Sequence, residues 1–370
     1  TDEGGCDNIN LTINTGATVN IAQSLALIAV IGSGSFTVTD GVSDTSANVL
    51  QRNNSNVAQF TNINTIVAKT NNIKLTQASG TMTIDEGNTF AGKTTGTVTY
   101  TGGISDAVAN IDATKLGNIQ SEDADFGITI TDVATVVNAL AVIAKTSGTV
   151  AFTTGISDTT AQLKSGGTTF ANIDTIVNKD ADVTIVQASG TFTIDEANTL
   201  VGKTSGTATL TGGISDSQAN IDSAKLTTIE TADGDVTITI TDAMTVAASK
   251  IVADATSGTI VFSGTPAISD NVAGYNAGAS AFANITAIAA RDGDMKLTVT
   301  DAVTAAQGAT IADLTTGAVI FSGGVTDSLA NLTELDGSGD PQYTNLDKIV
   351  AEDADVVITI NDAAAGAALE

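Results

Sequence analysis

Short runs of alternating apolar and polar residues recur along the chain. One set reads TVTYT (97–101), TATLT (207–211) and TIVFS (259–263), and the other GITIT (127–131), VTITIT (236–241) and KLTVT (296–300). A period of two places the apolar residues on one face and the threonines on the other, as in a half-buried strand. The first set follows a glycine in a Ser/Thr-Gly-Thr element or a near variant: Gly34, Gly96, Gly148, Gly206, Gly258 and Gly317. The second follows an acidic turn whose last residue is Asp125, Asp182, Asp235, Asp294 or Asp355, with Asn72 in the first repeat. From acidic turn to next glycine the spacing is always 23 or 24 residues, whereas from glycine to acidic turn it runs from 29 to 38. All the variation enters at one place, as in KSGGTTFANI (164–173), which marks a loop leaving a regular body.

A ten-residue phrase falls in the variable half. GGISDAVANI (102–111) returns as GGISDSQANI (212–221), and looser forms start at Gly41, Gly155, Ala267 and Gly324. A phrase repeated along the whole length repeats a structural unit rather than an active site. Its glycines, among them Gly102, Gly103, Gly212 and Gly213, suit a turn with unusual φ, and Ile104 and Ile214 re-enter the core. The aspartates present in all six copies, Asp44, Asp106, Asp158, Asp216, Asp270 and Asp327, are the expected acceptors of backbone N–H groups in a corner. Asn48, Asn110, Asn220 and Asn331 complete that corner, but Gln162 and Gly274 in the other two copies break any continuous asparagine ladder.

About 23 residues with one dominant strand is the length of one coil of a parallel β-helix. The expected fold is therefore all-β: a parallel β-solenoid of about twelve rungs in six two-coil repeats. The alternative is an α/β solenoid with short helices on one side, because SDSQANIDSAKL and TDAMTVAASKIV each place a helix N-cap residue ahead of Ala-rich text. The expected organisation is an N-terminal cap or truncated repeat at 1–32, a continuous repeat array at 33–368, and a cloning scar at 369–370.

Composition suits thin layers. Hydrophobic residues make up 42% but aromatics only 4%, with no Trp. The net charge is −27, with 14 Lys and Arg against 41 Asp and Glu. Phosphate contacts need clustered cations, so nucleic acid is an unsuitable partner, and so is an anionic membrane surface. No stretch has the roughly 20 apolar residues of a membrane span. Cys6 is the single cysteine, so an intrachain disulfide is impossible.

The acidic turns are the candidate metal sites. Asp123 and Asp125, Asp180 and Asp182, Asp233 and Asp235, Asp292 and Asp294, and Asp353 and Asp355 pair carboxylates two residues apart, which suits calcium as the one candidate cofactor. None matches an established calcium loop, and Asp-x-Asp is also ordinary turn chemistry. The chain has no His, which rules out a Ser-His-Asp or Cys-His site. Carboxylates that repeat, with few aromatics to hold sugar, argue against a glycosidase, so no catalytic residue is assigned.

The alternation of ISDTxANL-like phrases with DADVTIT-like strands resembles large repetitive cell-surface proteins of bacteria, those of cyanobacteria in particular. The resemblance implies an extracellular structural, spacer or adhesin-like rod with self-association or a surface glycan or protein as partner. The alternative is a receptor- or glycan-binding module such as a phage tail fibre. Its insertion loops, Lys164 to Thr169, Asn271 to Ser280 and Leu335 to Tyr343, would then form the binding surface.

Overall fold

The computed structural model describes residues 9–14, 16–165 and 169–362. Cys6, the residues at 369–370 and the centre of the loop starting at Lys164 lie outside them, as do residues 1–8 of the expected N-terminal cap. The chain divides into two compact units. The first comprises residues 1–158, 162–186 and 203–207, and the second 159–161, 187–202 and 208–370.

The alternating runs form strands, each three to five residues long in the sheets described here. In the first unit Ile104–Asp106, Ile128–Ile130 and Val150–Phe152 pair in parallel, with Ile104 opposite Ile128 and Ile128 opposite Val150. Val42–Thr45, Leu75–Ser79 and Val98–Tyr100 form an equivalent trio. In the second unit the trios are Ile214–Asp216, Ile238–Ile240, Ile260–Phe262 and Ile268–Asp270, Leu297–Val299, Val319–Phe321. The first strand of each trio is the repeated phrase, the second follows an acidic turn (Asn71–Asn72 ahead of Leu75), and the third follows a Gly-Thr or Gly-Ala step. Ile128, Ile130, Ile238 and Ile240 are buried, while the threonines between them, Thr129 and Thr239, stay partly exposed.

Between the second and third strands the chain is helical, and here the all-β expectation is corrected. The described residues contain sixteen α-helices and short parallel sheets of two or three strands, so the fold is mixed α/β rather than a parallel β-helix. The physical reason is capping. Thr83 and Thr193 accept from the backbone N–H of Glu86 and Glu196, whose side chains reach back to the cap N–H, a capping box that starts the helices Ile84–Ala91 and Ile194–Val201. Thr304 forms the same box with Gln307 ahead of Ala305–Ala312, while Thr135 and Thr245 cap Val136–Ile143 and Val246–Asp254 by the single bond from the N–H of Asn138 and Ala248. The text TVAASKIVA therefore buries Val246, Ser249, Val252 and Ala253 on one helical face. Asp222 likewise caps Ser223–Ala232.

Residues 9–38 follow the same plan. Leu11–Ile13 pairs in parallel with Phe36–Val38, and between them the helix Ile21–Ile31 opens on an Asn20–Gln23 capping box.

Each trio stops at three strands for a local reason. The carboxylate that opens the next acidic turn accepts the backbone N–H of the third strand: Asp123 Oδ2 from Tyr100 at 2.7 Å, Asp180 from Phe152 at 2.6 Å, Asp292 from Phe262 at 2.8 Å and Asp353 from Phe321 at 2.7 Å. A side chain thus occupies the edge that a fourth strand would need. The chain then turns, and pairing resumes on the next copy of the phrase: Ile156 N–H donates to Thr184 at 2.8 Å and Ile214 N–H to Thr237 at 2.8 Å.

Candidate functional site

The corner aspartates act across coils. Asp106 Oδ2 accepts the N–H of Ile84, the first residue of the helix 22 positions upstream, at 2.9 Å, while Oδ1 takes the N–H of Ala107 and the Asn110 amide at 2.9 and 2.6 Å. Asp216 does the same with Ile194, Ser217 and Asn220, and Asp327 with Ala305, Ser328 and Asn331. Asp44 bonds Ile21, Thr45 and Asn48, and Asp158 and Asp270 cap Val136 and Val246. One carboxylate therefore closes its own turn and supplies an acceptor to the unpaired N–H groups of a helix N-terminus in the preceding coil. Each asparagine bonds the aspartate of its own corner four residues back, so none is used in an asparagine ladder. Burial opposes it, but the bonds from Asn331, Ser328 and Ala305 hold the Asp327 carboxyl below its ordinary range.

Beside two of these corners lies a recess that the phrase builds twice. In the second unit it encloses about 560 Å3 and is lined by Thr304, Ala306, Asp327, Ala330, Asn331, Glu334, Leu335 and Asn345. In the first unit the matching positions are Ala22, Asp44, Ala47, Asn48, Gln51 and Asn62, around about 200 Å3. The floor is a clip that spans the insertion loop. Glu334, with φ 45°, accepts the N–H of Asn345 at 2.8 Å and its side-chain amide as well, and Gln51, with φ 47°, accepts the N–H of Asn62 at 2.6 Å. In the third repeat Ser165 Oγ accepts from the Asn172 amide at 3.0 Å.

The residue preceding the helix on the far side of each loop is aromatic and left-handed: Phe60 (φ 51°), Phe170 (58°), Phe282 (59°) and Tyr343 (53°). Phe60 and Phe170 are buried, so burial of the ring pins a backbone conformation that side chains other than glycine seldom adopt. Sequence reading missed both clip and aromatic. The signal was an aromatic three residues before the Ile or Leu of FTNI, FANI, FANI and YTNL. Of the three insertion loops, that at Asn271 contains a short helix, Val272–Tyr275, whose buried Tyr275 hydroxyl donates to Ile268 and Thr298 carbonyls at 3.2 and 3.1 Å. The loop at Leu335 borders the larger recess.

In the acidic turns the first carboxylate of each pair is the one spent on the neighbouring strand. Burial pushes the carboxyls of Asp123, Asp180, Asp233 and Asp292 above their usual range; the strand N–H opposes this, and Asp125, Asp182, Asp235 or Asp294 two residues on reinforces it. Asp353 makes the same strand contact, with Asp355 two residues on. Each turn offers two carboxylates, and among the described residues no group of three or more acidic, Cys or His side chains is placed to hold a metal ion.

These shifts set the sign of a pH effect. A carboxyl whose pKa is raised on folding stabilises the fold below its unfolded value, about 3.9 for Asp, and loses that contribution as pH rises through the folded value. Asp112, Asp327 and Asp336 are depressed, so their contribution is present above the unfolded value and is lost as pH falls through the folded one. Relief of the −27 net charge acts in the same direction as the raised group. Calorimetric melting should therefore show Tm rising as pH is lowered from 7 towards the carboxylate range, then falling. Asp235→Asn should raise Tm at pH 7 and flatten the rise, and a Tm that drops steadily from pH 7 downward would contradict the assignment.

No family model matches the chain, and no curated protein matches it. Neither comparison bears on the resemblance to repetitive bacterial surface proteins; what the structure corrects is the β-helix, not the role. Among the described residues no helix is long and apolar enough to cross a membrane.

Proposed function

We propose that this chain is a non-enzymatic binding module whose recesses beside the insertion loops take a polyhydroxylated ligand, uncharged or cationic. The observation that carries the reading is the duplicated recess. Asp327, Asn331, Glu334 and Asn345 line one and Asp44, Asn48, Gln51 and Asn62 the other, each beside small side chains such as Ala306 and Ala22. Carboxylates and amides grouped on a rigid floor, next to an apolar wall from Leu335, suit the alternating hydroxyl and C–H surface of a sugar. The net charge of −27 disfavours acidic sugars and phosphates.

The test is retention of the full chain on immobilised neutral, amino and acidic glycans. Retention on neutral or amino sugars is expected, and it should be lost in Ala306→Phe, which fills the larger recess and leaves the Glu334–Asn345 clip in place. Failure to bind any glycan would overturn the reading. That failure would favour a plain structural spacer, for which the complete use of the Asp106, Asp216 and Asp327 carboxylates on the main chain and corner asparagines is the supporting observation. A spacer would keep its role after deletion of the Leu335 to Tyr343 loop.

A further inference from the structure

The loop after the last copy of the phrase carries the one Asp-Pro peptide bond of the chain, Asp340–Pro341. Residues 335–344 are exposed, yet one carboxylate organises the loop from within. Asp336 Oδ1 accepts the N–H groups of Ser338 at 2.8 Å and Asp340 at 3.0 Å, and its Oδ2 accepts the Gln342 amide at 3.2 Å. The N–H groups of Asp340 and Ser338 hold the Asp336 carboxyl below its ordinary range, so this hub stays ionised as pH falls towards that range. The Asp340 carbonyl oxygen itself accepts twice, from the Asp336 N–H at 2.9 Å and from the Gln342 amide at 3.3 Å. Two donors on one carbonyl oxygen stabilise the negative charge that develops there when its carbon is attacked.

We propose that the Asp340–Pro341 bond is a self-cleavage site, at which the side chain of Asp340, in its acid form, attacks its own main-chain carbonyl carbon. A side-chain oxygen bonds to that carbon and closes a five-membered cyclic anhydride, while the C–N bond to Pro341 breaks. The carboxyl proton and the C–N electron pair go to the proline nitrogen, which leaves as a secondary amine. One water then opens the anhydride, leaving Asp340 as a C-terminus with both carboxyl groups free. The sum is hydrolysis of one peptide bond, once per chain, with water as the only co-reactant. Every aspartate holds a carboxyl at this reach from its own carbonyl. Asp340 is set apart by the proline, whose tertiary amide nitrogen is the more basic leaving group, and by the two donors on the carbonyl oxygen. The cut does not release the residues beyond it. Gln342 N–H donates to the Thr333 carbonyl at 2.9 Å, Glu334 accepts the Asn345 N–H at 2.8 Å, and Ile358–Ile360 pairs with Val325–Asp327, all across the broken bond. The product is a two-chain protein with a new proline terminus, cationic at neutral pH, in the loop that borders the larger recess.

The test is intact-mass analysis of the full chain over time at about pH 5, where about a tenth of ordinary Asp carboxyls are protonated, beside the same chain unfolded in guanidinium at that pH. The folded chain should divide into residues 1–340 and 341–370, and at least about tenfold faster than the unfolded chain, which has lost the two donors. Asp340→Asn, with no carboxyl to attack, should stay whole. Asp340→Glu, whose anhydride ring would have six members, should be slower than the unmodified chain. Gln342→Ala should slow the cut about tenfold, since its own N–H still donates to Thr333 and holds the loop in place. Calorimetric melting at the same pH checks that each variant is folded. A folded chain that stays whole, or that is cut no faster than the unfolded one, would overturn the proposal, as would cleavage of folded Asp340→Asn at the same bond. Gln342→Ala cut at the unmodified rate would overturn the part assigned to the donors.

Discussion

Replacing Asp216 with Ala should cost about 3 kcal/mol of stability, three times the cost of removing its neighbour Asp222. The two residues sit six positions apart and both cap helices, so the difference isolates burial. Asp216 is buried and accepts three bonds: the N–H of Ile194 at 2.9 Å, that of Ser217 at 2.8 Å and the Asn220 amide at 2.7 Å. Without it, the N–H of the fully buried Ile194 has no acceptor, and the penalty is desolvation without compensation. Asp222 accepts from Ala224 and Lys225 at an exposed helix start, where water can replace it, and its loss should cost about 1 kcal/mol. Asp216→Asn should fall between, because its NH2 group must face one of the donors. Chemical denaturation ranks the three variants, and hydrogen exchange at Ile194, 22 residues upstream of the substitution, should accelerate in Asp216→Ala only. Equal costs for Asp216→Ala and Asp222→Ala would show that the corner carboxylate does not tie one coil to the next.

That carboxylate was legible in the sequence because it is the polar residue kept in every copy of the phrase, and a buried turn needs an acceptor wherever it recurs. The strands were legible for a similar reason: Ile128, Ile130, Ile238 and Ile240 keep their period of two and are buried as that period requires. The helices were harder, since threonine serves two purposes here. Thr239 is an outward strand residue and Thr245, six residues on, is an N-cap, and intrinsic preference does not separate them. The capping boxes Thr83–Glu86 and Thr193–Glu196 did carry a readable signature, four residues with Glu in the last place, just ahead of helical text. What could not be read was the recess. Gln51 and Glu334 are ordinary loop residues in sequence, and their left-handed backbone and long-range acceptor role depend on where the chain returns after an insertion of variable length. Nor does any local preference predict an aromatic at positive φ, because Phe60 and Phe170 hold that conformation through burial of the ring.

The constancy of the 23- or 24-residue half has a steric origin, which a second substitution tests. At Gly258 a Cβ would lie 2.0 Å from the carbonyl oxygen of Asp235 and 2.7 Å from that of Val236. The same clash, with the carbonyl of the preceding acidic turn, awaits a side chain at Gly148 (2.1 Å from Asp125 O), Gly206 (2.1 Å from Asp182 O) and Gly317 (2.2 Å from Asp294 O). These are backbone atoms and cannot rotate aside. They are also held in place, since Ser257 N–H donates to Gly234 at 2.7 Å and the buried Thr256 hydroxyl donates to Val236 at 2.6 Å while accepting from Gly258 N–H at 2.8 Å. Gly258→Ala must break this set or push the coils apart, and we expect a loss of about 3 kcal/mol. Gly117, inside the helix Ala113–Glu122, is the contrasting case: the nearest atom to its Cβ position is the Lys145 ammonium nitrogen at 3.8 Å. Alanine there should add about 0.8 kcal/mol by helix preference alone. Opposite shifts of the two denaturation midpoints would place the fixed spacing in this contact, where an inserted residue would carry the glycine off the carbonyl it must touch. Gly258→Ala as mild as Gly117→Ala would mean that the half is fixed by its helix rather than by the close approach of the turns.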